Sequence, residues 1–177
     1  VDVAAFSPAA REPGLRQQLG FADNDVVFAF AGRLVGWKGL AVAIKALAEP
    51  ALAGLPVKLL LIGDGDARAG LGELAARLGV ADRVVFQAPV PHRELPKYYA
   101  AADGGVFPSI GDEAFGITIA EAMACGLPVV ASHIGGIPEV VGNEGACGLL
   151  APAGDPAGFA AAMAGLAADA GYRQRLG

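Results

Sequence analysis

The chain has 177 residues, of which 54% are hydrophobic and 18% charged, and its net charge is −5. That length suits one domain with a sizeable buried core, and so apolar a composition excludes disorder. The acidic balance argues against a nucleic-acid surface, and no apolar run reaches the length of a membrane span.

No basic leader with a cleavage site opens the chain, so a cytoplasmic location is expected. Cys125 and Cys147 are the only cysteines. They are too few and too far apart for a zinc knuckle or a disulfide framework, and both are expected as reduced core thiols.

Val1 to Pro8 reads as an incoming linker, and a short helix is predicted over Pro13 to Leu19, with Gly20 after its end. Val26 to Gly32 is a continuous apolar run that suits a strand buried on both faces. Helical spacing over Lys38 to Ala48 precedes a second apolar strand, Val57 to Ile62. A helix over Ala67 to Leu78 leads to a strand at Val84 to Gln87, and a helix over Glu94 to Ala102 leads to a strand at Gly105 to Pro108. Next come a helix from Gly116 to Cys125, a strand at Pro128 to Ala131, a helical turn at Ile137 to Val141 and a strand at Cys147 to Leu150. An Ala-rich helix, Asp155 to Leu166, and a turn around Tyr172 close the chain.

Strands and helices alternate with short connections. The predicted fold class is therefore α/β, a Rossmann-like three-layer α/β/α sandwich around a parallel sheet of about six strands. Ligands of such sheets bind at the carboxyl ends of the strands, so the informative loops follow Gly32, Gly63, Gln87, Pro108 and Ser132.

The first of these loops runs from Gly32 to Gly39 and carries Arg33, Trp37 and Lys38. Lys38 stands near a helix start, where a cation opposes the macrodipole. The cations either sit solvated on a flexible turn or, with free backbone N–H groups, hold an anion. The loop is neither a Walker A loop nor a dinucleotide turn. Trp37 is expected to pack on the sheet rim. Asp64-Gly65-Asp66 could grip a divalent cation, but its glycine-rich setting favours turn and capping roles, so no metal is predicted.

After Gln87, a proline-stiffened loop holds Val90 and His92. His92 is expected to face solvent or cap a helix, and Asp103 to cap or turn. The stretch Ser109 to Ser132 holds Glu113 and Glu121, eight positions apart, around the predicted helix start at Gly116. Unpaired N–H groups of Gly116, Ile117 and Thr118 would point toward the sheet's carboxyl edge. Carboxylates there could accept hydrogen bonds from the hydroxyls of a sugar, or could simply be helix residues.

The run Glu113-Ala-Phe-Gly-Ile-Thr-Ile-Ala-Glu121, continued by Ala-Met-Ala-Cys-Gly-Leu-Pro-Val-Val-Ala, closely resembles the retaining glycosyltransferases of group 1 (family 4). So does the Gly-Arg-Leu-Val-Gly-Trp-Lys-Gly upstream. Val1-Asp-x-x-x-Phe-x-Pro, the Ile62-Gly-Asp-Gly exit and Gly135-Gly-Ile-Pro-Glu139 fit that pattern in order, so the resemblance runs from Val1 to about Leu166. Gly36-Trp37 departs from it, where the family commonly has a proline and a charged residue.

The resemblance implies one half of a GT-B architecture, with the whole chain 1–177 as the C-terminal donor-binding domain and the N-terminal acceptor domain absent. It implies that Arg33 and Lys38 hold the diphosphate of a UDP-, GDP- or ADP-sugar, helped by the N–H groups at Gly116, Ile117 and Thr118. It further implies that Glu121 binds the ribose and Glu113 the transferred sugar, with Arg33, Lys38 and Glu113 as the catalytic set. Gly32, Val90 and Phe115 complete the implied donor contacts, the loop after Gln87 taking the base.

The implied reaction transfers a hexosyl group to an acceptor hydroxyl with retention. It needs no metal or other cofactor, because the cations meet the leaving group's charge. The acceptor, whether glycan, lipid or small molecule, and any peripheral contact with a membrane belong to the missing half. This chain alone is expected to bind donor with little or no turnover. A freestanding nucleotide-binding or regulatory module and a GT-B sugar-nucleotide epimerase half are the alternatives.

Overall fold

A computed structural model of the chain describes residues 1–111, 113–142 and 147–177; Asp112, inside the predicted loop after Pro108, lies outside the described residues. Six strands form one sheet: β1 Val26–Ala31, β2 Val57–Ile62, β3 Val84–Gln87, β4 Gly104–Phe107, β5 Val129–Ser132 and β6 Gly148–Ala151. They are ordered β3-β2-β1-β4-β5-β6 and every pairing is parallel. All residues of β1 are buried, as its unbroken apolar run requires of a central strand covered on both faces.

The helices are α1 Leu15–Gln18, α2 Leu40–Leu47, α3 Arg68–Arg77, α4 Leu95–Ala100, α5 Ile117–Ala124, α6 Ile137–Val141, α7 Pro156–Ala168 and α8 Ala170–Leu176. From β1 the chain steps outward through β2 to β3, then returns and steps the other way through β4, β5 and β6. Right-handed crossovers put helices on opposite faces when the direction of travel reverses. Accordingly α2 packs on α3 and α7, whereas α5 packs on α4 and α6. The expected parallel Rossmann-like sandwich is therefore the observed fold. Its strand order reverses between β1 and β4, and that is where doubly wound sheets open a crevice.

One core joins both layers, with Phe28, Phe30, Leu59, Leu60, Val106, Val129, Phe159 and Met163 all buried in it. At the amino-terminal edge Arg16 reaches from α1 to Asp103, Ala101 and Asp25, and Asp103 in turn accepts from the Val27 N–H. Asp103 thus ties α1 and β1 to the start of β4 rather than capping or turning one element.

Three other expectations change. Neither Asp64 nor Asp66 caps α3, whose N-cap is Ala67 without a side-chain bond; Asp64 instead accepts from the N–H of Gly65. Cys125 is buried but Cys147 is exposed, one residue ahead of the edge strand β6, so only one thiol belongs to the core. The turn around Tyr172 is a seven-residue helix, α8, started by Asp169 accepting from the Tyr172 N–H.

Candidate functional site

The loops after β1 and β4 leave the sheet on either side of the switch point. The β1 exit makes a single 3₁₀ turn, Gly36–Lys38, before α2 begins at Leu40. Gly39 between them takes φ 67°, and a Cβ there would run into the carbonyl oxygen of Pro108 at the end of β4. The N–H groups of Ile110 and Gly111 both donate to the Trp37 carbonyl, at 2.9 and 3.1 Å. The two loops are therefore locked backbone to backbone.

That lock brings Lys38 to Glu113. Lys38 Nζ lies 2.6 Å from Glu113 Oε2, with both side chains largely covered. Ser109, itself buried, places its hydroxyl 3.4 Å from the same oxygen. The unfavourable placement of a cation ahead of a helix is thus answered by a carboxylate from the neighbouring loop. Trp37 packs against this cation rather than along the rim alone, its ring centroid 4.4 Å from Lys38 Nζ.

Beside the pair, α5 starts at Ile117 behind Gly116, which takes φ 71° and offers no side-chain cap. Among the described residues no backbone carbonyl accepts from the N–H groups of Gly116, Ile117 or Thr118. Lys38, Glu113, Ala114, Phe115, Gly116, Ile117 and Thr118 line a cleft of about 300 Å³. A second cleft, of about 320 Å³, lies on the other side of the β1 exit, lined by Gly32, Arg33, Gly63, Pro89, Val90 and Leu95 among others. Arg33 is exposed there and makes no hydrogen bond or ion pair with a described residue.

Nine of the ten residues singled out from the sequence thus line one of two clefts flanking the switch point. The tenth, Glu121, is set apart. It is only 5% exposed on α5, and its Oε1 is 2.7 Å from Nε2 of His92. Its charge also acts on its neighbours. The fully buried Tyr99 hydroxyl is held well above its usual pKa by burial first and by Glu121 second. The Cys125 thiol is pushed up to about 11 by the same two causes in the same order.

His92 does face solvent, as expected, but it caps no helix. Its pairing with Glu121 spans 29 positions of sequence, and no local pattern announces it. Among the described residues no group of three or more His, Cys, Asp or Glu is placed to share a cation. Among the described residues no helix is long and apolar enough to cross a membrane.

This arrangement has close counterparts in known proteins. Residues 12–177 match the family model "Glycosyl transferases group 1". The D-inositol 3-phosphate glycosyltransferase of Streptomyces bingchenggensis is 37% identical over 186 residues, a match covering all of this chain and 40% of that protein. The chain therefore spans about 40% of the length of the curated relatives it matches.

Among solved structures, Anabaena Alr3699/HepE in complex with UDP and glucose superposes with a TM-score of 0.88 at 32% identity, over 99% of this chain and 48% of that one. The C-terminal domain of the group 1 glycosyl transferase LpcC from Francisella tularensis shares the fold, with a TM-score of 0.84 at 24% identity, over 99% of this chain and 92% of that one. This chain belongs to the group 1 glycosyl transferases.

Proposed function

We propose that the chain is the donor-binding half of a retaining hexosyltransferase, completed by an acceptor-binding half outside residues 1–177. The observation that carries this reading is the charged cleft beside the switch point. There a lysine and three backbone N–H groups without backbone acceptors among the described residues converge on one space next to a carboxylate.

A diphosphate in that cleft would exchange the Lys38–Glu113 contact for phosphate oxygens. It would draw further on the N–H groups of Gly116, Ile117 and Thr118 and on the free guanidinium of Arg33. Glu113, released from Lys38, would accept hydroxyls of the transferred sugar. Glu121 would accept those of the ribose, and the apolar wall made by Pro89 and Val90 would cover the base. When the sugar–phosphate bond breaks, negative charge grows on the departing diphosphate, where fixed cations and N–H dipoles stabilise it more than they stabilise the bound donor. The acceptor hydroxyl is supplied across the cleft by the other half.

Anabaena Alr3699/HepE has been solved in complex with UDP-glucose, and its identity to this chain is 32%. A uracil donor is therefore the first to try. The test is a thermal-shift panel of UDP-, GDP- and ADP-sugars with the chain alone. A donor at a hundred times its Kd stabilises by about 2.7 kcal/mol, which raises Tm by roughly 5–10 °C for a domain of this size. No response to any of the three overturns the proposal.

A further inference from the structure

Resting on the reading of Glu121 as the ribose carboxylate, we infer that His92 is a positioning residue that sets selectivity for ribose over deoxyribose. The carboxylate is buried, and among the described residues His92 is the only side chain that reaches it. That contact occupies Oε1. Oε2 has no donor among the described residues, yet it is not sealed in: the Ser132 hydroxyl is the only such side-chain atom shut off from solvent without a partner. One oxygen is therefore held, and the other is unpaired among the described residues and not fully shut off from solvent, which leaves it able to accept a ligand hydroxyl. A carboxylate rotates about its last side-chain torsion unless something fixes it, and the imidazole fixes it here.

The imidazole is itself held. Its ring lies 5.1 Å from that of Phe6, tilted by 49°, and Phe6 is buried. His92 also opens the 3₁₀ turn His92–Glu94, two residues after Val90, which with Pro89 lines the apolar cleft. The His92–Glu121 bond thus joins the wall assigned to the base to the carboxylate assigned to the ribose. A ring that is 70% exposed contributes little to the core. Its loss should therefore change what Glu121 can do while leaving the fold intact.

The experiment measures, by calorimetry, the affinity of the best-binding of UDP, GDP and ADP and of its 2′,3′-dideoxy counterpart. The proteins are the wild-type chain, His92→Ala and His92→Gln, whose amide can still donate to Oε1. The wild type is expected to prefer the ribonucleotide at least tenfold. His92→Ala should bring that ratio to within threefold of unity with dideoxynucleotide affinity and Tm unchanged, and His92→Gln should restore most of the preference.

An undiminished ratio in His92→Ala, or an equal loss for both nucleotides, overturns the role of His92 alone. A wild type that binds without preferring ribose overturns the Glu121 assignment as well. A wild type that binds none of the three overturns the donor-half reading itself.

Discussion

Two ion pairs of similar length and cover sit at opposite edges of the same sheet, and their surroundings differ. At the amino-terminal edge Arg16 and Asp103 lie 2.9 Å apart. Arg16 also donates to the carbonyls of Ala101 and Asp25, and Asp103 also accepts from the Val27 N–H. At the carboxyl edge Lys38 and Glu113 lie 2.6 Å apart, supported among the described residues only by the Trp37 ring and a long contact to Ser109. The first pair has most of its hydrogen-bonding capacity taken up by backbone from several segments. Among the described residues the second leaves much of it unused, beside N–H groups that have no backbone acceptor there. A charge whose valences are filled by the fold is structural, and one that holds a single exchangeable partner is available to a ligand.

Removing either cation should separate these roles. Lys38→Met is expected to weaken nucleoside-diphosphate binding at least a hundredfold by calorimetry while Tm changes by about 2 °C or less, the lost pair being replaceable by water at the cleft. Arg16→Met should do the reverse. It strands Asp103 and two carbonyls in a covered setting, so stability should fall by about 2–4 kcal/mol in a urea titration with nucleotide affinity within twofold of wild type. Similar Tm losses in both variants would erase the distinction.

The smallest expected effect sharpens it. Cys125 lines the same amino-edge hollow as Asp103, and its thiol, pushed up to about 11, stays protonated and covered at neutral pH. In wild type and Lys38→Met, a thiol reagent at pH 7.5 should label Cys147 promptly and Cys125 only on unfolding. Arg16→Met should speed labelling of Cys125 severalfold. Equal rates in all three proteins would mean that the Arg16–Asp103 pair does not hold that hollow together.

Much of this molecule can be read before folding, and what cannot be read has a common cause. The apolar runs of β1 and β2 and the glycine after β1 specify their strands locally, and Val57–Ile62 falls where it is expected. The placement of β1 beside β4 has no local signature, because it follows from which helices can share a face. The crevice between their loops therefore becomes visible only in three dimensions. Lys38 and Glu113 are each legible as candidates, yet their contact bridges 75 positions. His92 was least legible, since an exposed histidine in a proline-rich loop looks like surface until the buried Glu121 is seen to lean on it. The misread cysteine shows the same limit: residue type favours burial, but Cys147 precedes an edge strand and stays in solvent.

The Gly39 lock carries a consequence for how the site can change. A side chain there would collide with the Pro108 carbonyl, and the Trp37 carbonyl is already shared by two N–H groups of the opposing loop. The backbone from Trp37 to Gly39, and at Ile110 and Gly111 opposite, is therefore set at folding rather than when a ligand arrives. Adaptation to a new donor cannot proceed by reshaping these loops. It is left to uncharged side chains around the clefts, such as Val90 and Phe115, so divergence should be tolerated at those positions and rejected at Gly39.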